Sequence, residues 1–599
     1  MRCFFILTLC LMTAAVCAQS DRELAGEYFR TGDCEKAAFY AEKVLQEQFV
    51  KDILSRYADC AIKEKKWEES EELFKKLLKK DAANQAFYQF HWGRTLAAAN
   101  KVAEAAKRYD ATLDLLMLRS DLYVQFIEEF RRISEPSYAK KIILMARERQ
   151  KQPNLFRLEL AGIYQETGET ENMIGELLSY GAMIRNPETV KNMLQDFIKT
   201  DKEGDILEKV LYENIQKRPN DVFYNELLIW RQVQKKDFYK AFLQERSLDK
   251  RLKKNGERIV ELSKVSLQNE DYTNTLRMYE YLLKEYPGSE IYPYARRMSI
   301  YVRGEQTKRK YPVDLGEVRK LIADYEALLT EVGNDINALE ALRNMAMLHA
   351  FYLGDRKKSI ELLNRAIQLG SVEPAFADRC KLDLGDIYIL ENEPWEASLI
   401  YSQVEKSQKD NVLGYEAKLR NAKLYYYKGE FDLARSVLNV LKKATSREIA
   451  NDASALSLLI LDNTGLDSTE DAMRSYAAVE LLLFQHLYDQ AIDSLSSLYT
   501  RYQDHSLADE ILWLQATTYI KLDKNEEAEK CLKEIIEKFY YDVLGDNALY
   551  QLAQLYETKL KRKEEAMRCY QELMEKYPAS IFVSDARKRY RQLRGDMIN

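Results

Sequence analysis

The chain has 599 residues, enough for about four ordinary domains at roughly 150 residues each. Its 21 Gly and 10 Pro make up about 5% of the sequence, against about 12% in an average protein, which excludes collagen-like, linker-rich and many-turned β architectures. With 46% hydrophobic residues, 31% charged residues and a net charge of −6 of mixed sign, the composition is globular and carries no basic field directed at nucleic acid.

In chain order, the first element is an export signal. Arg2 precedes an apolar run from Cys3 to Val16, then Val16-Cys17-Ala18 and a polar Gln19-Ser20-Asp21, which reads as a signal peptide over residues 1–18. No later stretch approaches 18 consecutive apolar residues, so no transmembrane segment is expected in the mature chain. Lipidation at Cys17 is the alternative reading of this end. Past the signal, Cys34, Cys60, Cys380, Cys531 and Cys569 are too scattered for a disulfide framework; Cys34 and Cys60 are near enough in adjacent units for a bridge.

A frame of small and aromatic residues then recurs: Ala25, Tyr28, Ala37, Ala41; Gly93, Leu96, Ala105, Tyr109; Gly385, Tyr388, Ala397, Tyr401; Ala553, Tyr556, Ala566, Tyr570, Pro578, the last copy with one extra residue in its turn. Its small second-helix position falls at 37, 70, 105, 139, 173, 207, 241 and 275, close to every 34 residues. It recurs at 359, 397, 434, 491, 528 and 566, mostly every 37–38, with one further unit near Leu321. These residues resemble the tetratricopeptide repeat. That resemblance implies an all-α, right-handed α-α superhelix of about fifteen helix-turn-helix repeats, each burying its apolar face only against its neighbours.

The expected organisation is a solenoid over 19–300, a joint at 301–320 where Arg303-Gly304, Lys308-Arg309-Lys310 and Tyr311-Pro312 interrupt the helical pattern, and a second solenoid over 321–599 with a capping helix. An additional helix is expected at Asn451–Leu461, with Ser468 capping the helix after it. The last repeats, with Glu575-Lys576-Tyr577-Pro578-Ala579-Ser580, resemble outer-membrane-assembly lipoproteins of the BamD type and the periplasmic coordinator of the Tol system. This implies the periplasm, or the periplasmic face of the outer membrane, of a Gram-negative bacterium, and partners among envelope proteins or peptides.

Catalytic patterns are missing from the sequence: no HExxH, no GxxxxGK[ST], no GxSxG, and His91, His349, His486 and His505 stand alone. No enzyme activity, cofactor or metal is therefore expected. The repeat resemblance implies a binding groove lined by the first helix of each pair, with candidate contacts Phe90, Arg94, Asp386, Lys423, Tyr426, Tyr427, Trp513 and Gln554. The leading expectation is an exported scaffold for envelope proteins; the alternatives are a glycan-binding protein of an outer-membrane uptake system and, behind it, a peptidoglycan-active enzyme.

Overall fold

A computed structural model describes residues 20–594, apart from 220, 334–335, 444–445 and 466–468. The apolar N-terminal run, Cys17 and Ser468 lie outside the described residues. Among the described residues the secondary structure is helical throughout, and consecutive helices form fifteen pairs, each a helix A followed by a helix B. Two helices stand outside the pairing: Arg447–Thr464, which is the expected extra helix extended at both ends, and the terminal Val583–Arg594. No described helix is long and apolar enough to cross a membrane.

One local device repeats along the chain. In thirteen pairs, helix A ends on a residue in the left-handed region, from Gly32, Lys65 and Asn100 through Gly354, Asn392 and Gly429 to His486, Asp523 and Lys561. The next residue's N–H then bonds back to a carbonyl in the last turn of helix A, as in Lys66 to Ala61, Lys101 to Leu96 and Glu393 to Tyr388. This closure satisfies carbonyls that the end of the helix would leave bare. Five residues beyond each left-handed residue sits a buried helix-B residue: Ala37 after Gly32, Ser70 after Lys65, Met173 after Gly168, Thr275 after Glu270, Ala566 after Lys561. In these thirteen pairs the sequence register holds, including at its less faithful Ser, Met and Thr copies; Leu207 and Leu321, in the two pairs without this turn, sit one turn further into helix B. Only four of the thirteen left-handed positions are Gly, so the chain folds with little of it.

The extra residue near Tyr556 has a structural outlet. Helix A finishes there in a π-helical turn, Tyr556–Leu560, and Arg562 bonds back to Tyr556; the turn His349–Leu353, closed by Asp355 bonding to His349, does the same. One wider ring absorbs one residue and leaves the A-to-B geometry unchanged.

By contact density the chain forms two compact units, one ending at Leu227 and the other beginning at Leu228. In the first, Cys34 and Cys60 form a disulfide between adjacent pairs with their Cα atoms 5.2 Å apart. In the second, Arg303 and Gly304 do not interrupt a helix: Tyr292–Lys308 runs through them, with Gly304 buried, and the helical pattern breaks only from Arg309 to the start of Leu315–Val332. Cys380, Cys531 and Cys569 are buried thiols, and burial pushes them up to about 12, 11 and 12.

Pair packing turns on a small residue facing an aromatic ring. A Cβ at Gly93 would run into the Tyr109 ring, and one at Gly385 into the Tyr401 ring; both tyrosines are buried. Gly385→Ala should therefore cost about 1–3 kcal/mol through overpacking. Gly175→Ala, a helical site with open space around it, should add about 0.5–1 kcal/mol. Denaturant unfolding of the two variants checks the opposite signs. For the chain lacking residues 1–18, thiol titration should find no fast-reacting cysteine in the folded state. It should find three after unfolding without reductant and two more after reduction.

Candidate functional site

The second unit carries its polar chemistry on successive A helices, and its centre is Pro374–Leu390. Asp383, between Leu382 and Leu384, is 3% exposed and pairs with Arg343 of Ile336–Leu348, the preceding helix A. Asp386 accepts the Tyr401 hydroxyl at 2.6 Å and Arg420 Nη1 at 2.7 Å. Arg420 belongs to the following helix A, Val412–Tyr427, and its other Nη2 reaches Glu416. Beyond it, the Tyr426 hydroxyl donates to Glu480 Oε2 at 2.6 Å, on helix A Asp471–Phe484. A ladder of ion pairs and hydroxyl–carboxylate bonds thus joins four consecutive A helices, with Asp383 and Asp386 paired to Arg343 and Arg420 and Glu480 held by the Tyr426 hydroxyl.

Burial sets the proton affinities. The Asp386 side chain is 16% exposed, and burial pushes its carboxyl up to about 6 against the pull of Arg420 and the Tyr401 hydroxyl. Glu480 is likewise raised by burial, while the Tyr426 hydrogen bond and the Lys423 charge work in the opposite direction. Tyr401 and Tyr426 are raised well above the ordinary phenol range by burial and by the carboxylates they serve. These hydroxyls remain protonated donors at neutral pH, a role that orients groups and offers no nucleophile.

Of the sequence-derived contacts, Asp386, Lys423, Tyr426 and Tyr427 come together on this ladder. Tyr426 requires correction as a groove contact: at 1% exposed it is packing, whereas Tyr427 is half-buried, 6.3 Å from the Phe484 ring centroid. Phe90 is corrected likewise. It is fully buried in the first unit among Tyr109, Phe126 and Phe130, because the first helix there is apolar on nearly every side. Arg94, in the same helix, pairs with Asp59 of the preceding helix A. Trp513 is half-buried against the core that includes Leu532 and Leu549, and Gln554 donates to the Tyr550 hydroxyl at 3.0 Å; neither joins the ladder. Arg343, Asp383, Arg420 and Glu480 were not anticipated. The available signal was charge at helix-A positions flanked by Leu382, Leu384 and Ile387.

A sequence description of the tetratricopeptide repeat matches residues 547–580, the pair Gly545–Leu555 and Lys563–Lys576. No curated protein sequence matches the chain significantly. Similar solved structures include an assembly of Naa15/Naa10 bound to HypK-THB, with 15% identity, a TM-score of 0.29 and 96% of each chain covered. A tetratricopeptide repeat protein from Parabacteroides merdae has 13% identity and a TM-score of 0.26 over 49% of this chain and 97% of its own. The APC/C hetero-tetramer Cut9-Hcn1 has 13% identity and a TM-score of 0.26, with 98% of each chain covered. At such scores these likenesses transfer neither arrangement nor function.

A pH test follows from Asp386. Its folded carboxyl holds a proton at pH values where the unfolded one, near 3.8, has lost it. The stability this contributes is present below about pH 4 and is lost as pH rises through about 6. Asp386→Asn lacks the titration, while the Arg420 charge stays constant over that range. The stability of the native chain relative to this variant should fall by on the order of 2 kcal/mol between pH 4 and 7. A difference independent of pH in thermal unfolding would contradict the assignment.

Proposed function

We propose that the whole chain is an array of tetratricopeptide repeats, exported from the cytoplasm, that acts as a scaffold docking envelope proteins or peptides along the exposed parts of its A helices. One observation carries this reading. The segment matched by the repeat description, 547–580, shares its turn geometry and its buried helix-B position with pairs back to Gly32 and Ala37. In the second unit the A helices leave Tyr427 and Lys423 partly open beside paired charges, which suits an extended peptide or a partner helix. The tyrosine donors and saturated ion pairs of the ladder favour recognition over bond-breaking.

Two features support export. The N-terminal run from Cys3 to Val16 has the make-up of a signal peptide, and the Cys34–Cys60 disulfide is of the kind that persists in oxidising compartments such as the periplasm.

A photo-crosslinking residue placed at Lys423, half-buried beside the ladder, should capture envelope proteins in living cells. The same residue at Lys530, exposed on helix B Asn525–Lys538, serves as the control. Adducts specific to position 423, lost when Tyr427 is also changed to Ala, are the expected result; equal yields at the two sites would contradict docking on the A helices.

A further inference from the structure

The second unit holds a half-enclosed recess of about 960 Å³ whose lining shares no residue with the ladder. It is built where chain segments far apart in sequence meet: the non-helical stretch after Lys308, the π-helical turn at Phe351 and Tyr352, the A-to-B turns at His486 and Asp523, and Lys559. Aromatic contacts tie these segments together. Tyr311 meets Tyr488 edge-on at 5.9 Å, Phe351 and Tyr352 lie 5.1 and 5.7 Å from the His486 ring, and His486 stacks on Tyr488 at 5.5 Å with the planes 19° apart. Three ring contacts, with Phe351, Tyr352 and Tyr488, hold His486 in the wall.

Charge is one-sided. Five cations line the recess against the single carboxylate of Asp523. Lys308, Lys521 and Lys559 sit at helix C-terminal ends, where cations complement the exposed carbonyls. Arg309 caps the helix that ends at Lys308, and Lys310 follows it. Arg309 pairs with Glu270, Lys308 with Glu305 and Lys559 with Asp523. Among the described residues, Lys310 and Lys521 have no carboxylate within ion-pairing distance, and Lys521 rests over the Tyr488 ring at 4.7 Å.

We propose that this recess binds a short acidic oligosaccharide, its sugar rings against Tyr311 and Tyr352 and its carboxylate or sulfate groups on Lys310 and Lys521. Aromatic faces pair with the C–H faces of sugar rings, phenol hydroxyls bond ring hydroxyls, and two unneutralised lysines supply the charge. An extended peptide fits less well, because the walls are a closed set of turn ends instead of a continuous row along helices. This inference is independent of protein docking on the A helices, and either can fail alone.

Calorimetric titration of the full mature chain with trigalacturonate, a sulfated trisaccharide, neutral maltotriose and a Glu- and Phe-rich peptide tests it. At least one acidic trisaccharide should bind, about tenfold or more tighter than maltotriose and the peptide. Lys310→Glu and Lys521→Glu, both at exposed positions, should each weaken that binding about tenfold without changing the melting temperature, and raised salt should weaken it too. Tyr311→Ala should weaken it with the salt dependence retained. Failure of both acidic trisaccharides to bind, binding indifferent to the two charge reversals, or tighter binding of the peptide would overturn the proposal.

Discussion

The closure at the end of helix A, present in thirteen of the fifteen pairs, is the constraint on which the remaining structure depends. A left-handed residue turns the chain, the next N–H caps the helix, and helix B starts at a fixed distance, so in these thirteen pairs the residue five positions on lands buried in the interface. Once that geometry repeats, the faces to be buried are set. Gly385 against Tyr401 and Gly93 against Tyr109 are then one contact used in two places, with the ring filling the space a Cβ would take. The π-helical turns before Gly354 and Lys561 preserve the closure when an extra residue is present, which shows how closely the fold holds to it.

The polar side follows from this stacking. Helices A of neighbouring pairs run side by side, so charged residues on them meet partners about one repeat away in sequence, as Arg343 meets Asp383 and Arg420 meets Asp386. Buried charges spaced this way need mutual neutralisation, and removal of one partner would strand the other. The ladder fixes how one pair registers on the next, and leaves Lys423 and Tyr427 partly open beside it.

Repeat number and helix-B register were legible because both rest on local rules: a small residue at the interface, an aromatic in helix A, and near-constant spacing. Ser70, Met173 and Thr275 held the register despite weak identity, since burial at that position depends on turn geometry more than on residue type. Arg303-Gly304 misled because a glycine within a helix was read as a break, whereas Gly304 is buried inside Tyr292–Lys308. Phe90 and Tyr426 misled because aromatic residues on helix A serve packing and exposure alike, and sequence does not say which side faces the neighbouring pair. The recess at Tyr488 was out of reach for another reason: its walls come from residues as far apart as Lys308 and Lys559, and no local pattern joins them.

Nearest-neighbour stacking is the central claim, and hydrogen exchange measured by mass spectrometry on the full chain carrying Tyr570→Ala tests it most directly. Tyr570 is fully buried in the last pair. The account predicts lost protection in Gly545–Leu555, Lys563–Lys576 and the adjoining Ala508–Lys538 pair, with protection unchanged at Pro374–Ser407. Loss of protection throughout the second unit would contradict it.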